Sequence, residues 1–161
     1  MKLKDLLETT DKGKVALSKK LKISVDEIKV DKHDKNRYII GSKHGDPEYF
    51  VYNAKEATKH AINSNIEMLD DSGVFNVING KFKKQILSLE YVKSNKKSEA
   101  KQWFDFYDED SEYSEQQLNP LMDLEKIAHK FVLVDGVESA LSTYDGKKIN
   151  LGGGLFAFRI Q

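Results

Sequence analysis

The chain has 161 residues, 39% of them hydrophobic and 32% charged, with no cysteine. That is enough apolar mass for one sizeable core, and the missing cysteine excludes disulfides, thiolate metal sites and cysteine nucleophiles. The 26 cationic residues balance 26 acidic ones, so no whole-molecule field draws the chain to nucleic acid or to an acidic membrane. Only Arg37 and Arg159 are arginines, which disfavours sites built on bidentate phosphate or base recognition.

In chain order, Leu3, Leu6, Leu7, Val15, Leu17 and Leu21 recur at helical spacing and predict a first helix. Ser24, followed by Asp26 and Glu27, reads as the N-cap of a short helix carrying Val25 and Ile28. The aromatic and β-branched runs NRYIIGS and EYFVYN flank KHGDP, a helix-breaking stretch, and predict a hairpin with strands at about 37–42 and 48–52. Asn53 and Glu56 have capping-box spacing, and Ala54, Ala57, Ala61, Ile62, Ile66 and Leu69 then form one apolar stripe. Asp70 to Gly73 should interrupt that helix, with a further helix running through Ile86, Leu87 and Leu89. Asn119-Pro120 supplies a cap and an N1 proline for a helix with Leu121, Leu124, Ile127, Ala128 and Phe131 on one side, ended by Asp135-Gly136.

The closing stretch STYDGKKINLGGGLFAFRI has the pattern of a hairpin. Asp145-Gly146 between ALSTY and KKINL fits a two-residue type I′ turn, and Gly152-Gly153-Gly154 allows a second reversal before the strand LFAFRI. A phosphate-cradling loop would need a helix directly after the glycines, and a β-type run follows instead. Hairpins interleaved with helices, without a βαβ rhythm, give the α+β class: a small antiparallel sheet packed with several helices in a single domain over residues 1–161.

Four stretches in this order, ALSKKLKISVDEI, EYFVYNAKEATKHAI, VFNVI and DGVESALSTYDGKKINLGGGLFAFRI, resemble a family of small uncharacterised bacteriophage proteins. The closing element is matched by Asp135, Gly136, Leu141, Ser142, Tyr144, Asp145 and Gly146, while Lys148 stands where the family has an acidic residue and Phe158 where it has tyrosine. The resemblance covers about half the chain and implies a phage origin and a host-cytoplasm setting, without naming a reaction. MKLKDLLETTDKGK lacks the apolar run of a signal peptide, and no stretch is long enough to span a bilayer, so neither export nor a membrane is expected.

No metal or catalytic constellation emerges, and no cofactor is implied. His33, His44, His60 and His129 are scattered. Asp108, Asp110 and Glu112 imitate the start of a calcium loop, but Tyr113 occupies the place of its glycine and Glu115 comes too early. Glu125 and His129, four apart on a helix, read as a surface pair rather than a general base. The helix-turn-helix reading of KVALSKKLKISVDEI fails because its recognition helix would open on the acidic pair Asp26-Glu27.

Charge is polarised along the chain: Lys81 to Lys101 holds seven lysines against two acids, and Gln102 to Glu125 holds eight acids and no base. Within the acidic block lies an insert at 103–115, WFDFYDEDSEYSE, outside the family resemblance, with five aromatics among six carboxylates. Either the aromatics dock on the core or they are presented to a partner. Trp103, Phe104, Asp105, Phe106, Tyr107, Asp108, Glu109, Asp110, Glu112 and Tyr113 are the candidate contact residues, since acids around aromatic anchors can compete for a basic groove that receives nucleic-acid backbone. The expectation is a non-catalytic phage accessory protein that binds a host or defence protein handling nucleic acid. The alternatives are a nucleic-acid-associated protein using Lys81 to Lys101, and an enzyme of unknown class.

Overall fold

The structure, a computed structural model, describes residues 3–41, 45–78, 80–105, 107 and 112–161. It is an α+β fold whose contacts gather into two compact units, one made of Met1–Ala61 with Asp135–Gln161 and the other of Ile62–Val134. Among the described residues, no helix is long and apolar enough to cross a membrane.

The first unit opens with α1 (Leu3–Leu21), whose side chains before Lys12 lie outside the described residues. The helix stops at Lys22, which takes φ 56° so that the Ile23 N–H can close back on the Ser18 carbonyl at 3.1 Å. Ser24 caps as expected, its hydroxyl accepting from the Asp26 N–H at 3.3 Å, but the helix it opens is a single 3-10 turn, Val25–Glu27. Ile28 is a strand residue rather than a helical one. It begins β1 (Ile28–Val30), because pairing with Ile40 and Tyr38 takes over the backbone of a β-branched stretch too short to sustain a helix.

The sheet is completed by β2 (Arg37–Ile40), β3 (Glu48–Asn53), β4 (Lys148–Gly152) and β5 (Leu155–Arg159), all neighbours antiparallel, in the order β1-β2-β3-β5-β4. The predicted hairpin is β2–β3, in register Arg37↔Phe50 to Ile39↔Glu48; Ser42, Lys43 and His44 lie outside the described residues. One face packs on α1, with Leu17, Ile28, Tyr38, Tyr49, Val51 and Ala157 buried together. On the other, Tyr52 stacks on His60 at 4.5 Å and leans on the fully buried Phe158 at 6.4 Å.

The predicted capping box forms: the Glu56 N–H donates to Asn53 Oδ1 at 2.8 Å, and the Asn53 N–H to Glu56 Oε1 at 3.4 Å. It starts α2 (Ala54–Ser72), which buries Ala57, Ala61, Ile62 and Leu69 of the predicted stripe while Ala54 faces solvent. Gly73 ends it at φ 81°.

The second unit is helical: α3 (Val74–Val77), α4 (Gly80–Ile86), α5 (Lys97–Asp105), α6 (Glu112–Leu118) and α7 (Leu124–Asp135). Val74, Phe75, Ile86, Val92, Leu118 and Met122 are in its core. Asn119-Pro120 does not open the long helix. Residues Asn119–Leu121 make one 3-10 turn, and α7 begins at Leu124, where Asp123 Oδ1 takes the Lys126 N–H at 3.2 Å. Asn119 instead caps a different helix, its Oδ1 accepting from the Phe75 N–H of α3 at 3.3 Å.

The C-terminal reading needs one correction. The ALSTY stretch is not a strand: α8 (Val137–Leu141) takes up its start, and Asp145-Gly146 closes a wider turn in which the Gly146 N–H reaches the Ser142 carbonyl at 2.8 Å. Gly146 does have positive φ, 67°. The two-residue hairpin turn is Gly153-Gly154, both at positive φ (60° and 80°), between the paired Gly152 and Leu155. Two adjacent left-handed residues satisfy a type I′ turn, and a pair of glycines reaches it at less strain than Asp-Gly.

Candidate functional site

The 103–115 segment joins the end of α5 to the start of α6, and the structure divides its aromatics. Trp103 and Phe104, on the last turn of α5, are partly buried against the core of the second unit, as is Tyr107. Tyr107 lies 6.1 Å from the Phe75 ring and donates its hydroxyl to Glu115 Oε1 at 3.2 Å. Burial pushes its phenol up. Tyr113 points outward at 62% exposed, yet its ring stands edge-on to Trp103 at 5.7 Å. Asp105 and Glu112 are exposed at the two helix ends. Phe106, Asp108, Glu109 and Asp110 lie outside the described residues.

Lys83 holds the segment to the rest of the unit. Its ammonium is ion-paired with Glu115, and both side chains are largely covered, at 20% and 14% exposed. The hydrogen-bonded Glu115 carboxylate raises the lysine above its ordinary range against the opposing effect of burial. The same ammonium sits 5.9 Å over the Phe75 ring. Residue-by-residue reading missed this partner of the insert. Its signal was the abutting charge blocks, +5 over Lys81 to Lys101 and −8 over Gln102 to Glu125, which invite a pairing across a turn.

The same pairing withdraws Lys83 from the lysine segment. Lys96 lies 3.8 Å from Glu99, and Lys93, Lys97 and Lys101 are exposed. The other candidates are dispersed. His33 is exposed, His60 stacks on Tyr52, and His129 lies 3.9 Å from Glu125 on an exposed face. Among the described residues, no three His, Asp or Glu side chains gather as metal ligands.

Of the residues that carry the family resemblance, Ser142, Tyr144 and Asp145 gather at the end of β5. Asp135 closes α7, and Gly136 turns the chain at φ 80°. The buried Ser142 hydroxyl is 2.9 Å from Asp145 Oδ1 and 3.2 Å from the Arg159 carbonyl. Asp145 Oδ1 also accepts the Lys147 N–H at 3.0 Å, and these two donors hold its carboxyl below the usual carboxylate range. Tyr144 lies under the Arg159 guanidinium, 3.9 Å from ring centre to Cζ. The Ser142 hydroxyl, the Asp145 carboxylate and the Arg159 guanidinium each answer a group within the chain, which fits a structural role.

No family model matches the chain, and neither does any curated protein or solved structure.

Proposed function

We propose that the protein works by non-catalytic binding, as a phage accessory protein whose 103–115 segment occupies a basic groove on a host or defence protein that handles nucleic acid. The reading is that of an inhibitor of a restriction or CRISPR-type enzyme. The observation that carries the reading is Tyr113, a 62% exposed aromatic steadied edge-on by Trp103 and flanked by the exposed carboxylates of Asp105 and Glu112. An exposed aromatic on a fixed base makes a binding anchor at low ordering cost, and surrounding acids steer it to a cationic surface. Trp103, Phe104 and Tyr107 serve as that base, while Phe106, Asp108, Glu109 and Asp110 belong to the stretch between the helices. The phage setting rests on the resemblance carried by the four stretches from ALSKKLKISVDEI to DGVESALSTYDGKKINLGGGLFAFRI.

An affinity pull-down from bacterial lysate, with and without nuclease, tests the reading. We expect one stoichiometric protein to survive nuclease and to be lost when Tyr113→Ala is combined with Asp105→Asn and Glu112→Gln. Partners that vanish with nuclease would support the lysine-segment alternative instead, and recovery undiminished by the triple variant would move the contact elsewhere.

A further inference from the structure

A groove of about 670 Å³ crosses the first unit between α1 and the tip of the β4–β5 hairpin. Its floor is aliphatic: Val15 and Ala16 from the helix, Leu151 and Leu155 from the strands. Lys12 and Lys19 stand at its margins. These four helix positions follow i, i+3, i+4, i+7 spacing and so share one face, distinct from that of Leu17, which is fully buried against the sheet. Val15 is 40% exposed, so α1 shows an apolar strip to solvent besides the one it buries. The hairpin tip adds no bulk, since a Cβ placed at Gly152 or Gly153 would meet nothing within 4 Å. From Lys12 to Lys22 the chain carries five lysines and no acid, a local excess of positive charge in a protein whose net charge is zero.

We propose that this groove is a second docking surface, for a short amphipathic helix of a partner protein that is apolar on the side it lays down and acidic along its margins. The groove is too open to enclose a small ligand, which needs most of its surface covered. Nucleic acid would find the lysines but gain nothing from four aliphatic contacts. Lys12 and Lys19 are seven residues apart, about 10.5 Å along the helix, a separation matched by two acids seven apart on a facing helix. Ala16 and the side-chain-free glycine tip leave room for that helix to approach at the roughly 8–10 Å spacing of packed helices. The 103–115 segment plays no part in this surface, so the two readings stand or fall separately.

The test titrates isotope-labelled full-length protein with two synthetic helical peptides of about 15 residues, each with leucines along one face, one flanked by glutamates and the other by lysines. The glutamate peptide should shift the amide resonances of Val15, Ala16 and Leu151 to Leu155, and the lysine peptide should not. Lys12→Glu with Lys19→Glu should weaken binding about tenfold or more and reduce its salt dependence. Val15→Asp should weaken it comparably. All three side chains are exposed, and unchanged thermal midpoints would show that the variants fold. Equal binding of the two peptides, shifts confined to other residues, or full affinity in the double lysine variant would each overturn the proposal. Two further results would also overturn it: a duplex DNA shifting the same amides more strongly than the glutamate peptide, or self-association of the protein alone that Val15→Asp abolishes.

Discussion

Gly13 lies in the interior of α1, where glycine is a poor helix former, and general propensity would favour alanine by about 1 kcal/mol. The residue it faces reverses that expectation. A Cβ at Gly13 would overlap the hydroxyl of Tyr38, which is only 3% exposed and held in the sheet core, so neither group can retreat freely. Gly13→Ala should therefore lower stability, by about 1 kcal/mol net once overpacking is set against the propensity gain, as a fall in the thermal midpoint. Gly146 presents the opposite case, since nothing lies within 4 Å of its would-be Cβ and only its φ of 67° requires glycine. Gly146→Val should cost about 1–2 kcal/mol through that backbone strain, whereas Gly146→Asn, which tolerates the left-handed region, should cost less. An Asn variant as damaging as the Val variant would locate the cost in packing instead.

Among the elements, the caps separate what sequence shows from what it hides. Asn53 and Glu56 are three residues apart and cap α2 through local bonds, so their spacing alone revealed them. Asn119 caps α3 from 44 residues away, and its proline neighbour pointed to the wrong helix. Asn119→Ala should cost about 1 kcal/mol, as a lost cap does. Amide hydrogen exchange should then show reduced protection in Val74 to Ile78, with α7 unaffected; reduced protection in α7 would reinstate the sequence expectation. The turn after α8 offers a pH test. Because the Lys147 N–H and the Ser142 hydroxyl hold Asp145 below its usual value, its contribution is present above about pH 3.9, the ordinary aspartate value. It is lost as pH falls through the lowered folded value. The difference in thermal midpoint between wild type and Asp145→Ala should thus be full at pH 7 and shrink under strong acid, and a difference independent of pH would remove the charge from the explanation.

For the whole molecule, net charge is zero while Gln102 to Glu125 carries eight acids and no base, so function through that block should be readable in kinetics more than in stability. Converting Asp105, Asp108, Glu109, Asp110 and Glu112 to their amides removes five charges from the block, of which the exposed Asp105 and Glu112 should change stability by less than about 0.5 kcal/mol. Association with the recovered partner should slow about tenfold at low salt and lose much of its salt dependence, while Tyr113→Ala should act mainly on dissociation. Stopped-flow traces over a salt series distinguish these. An unchanged salt slope in the amide variant would leave the acids as a solvated surface.

The amino-acid sequence by itself determined the α+β class, the β2–β3 hairpin, α1, and α2 with its cap, because each is set by periodicity or by contacts a few residues apart. It also located the polarised charge blocks and the aromatic insert. The reversal at Gly152 to Gly154 was legible in the same way, and only tertiary structure decided that Asp145-Gly146 does not join a further strand, since it is an equally competent turn and, among the described residues, β4 pairs with β5 alone. It likewise turned Ile28 from helix to strand, through its partner Ile40 twelve residues ahead. At the insert it set Trp103, Phe104 and Tyr107 on the core and left Tyr113 outward, because the space left by Phe75 and the charge of Lys83 lie far off along the chain. Local patterns carry their own geometry, whereas the choice among competent alternatives depends on burial and pairing that only the folded chain supplies.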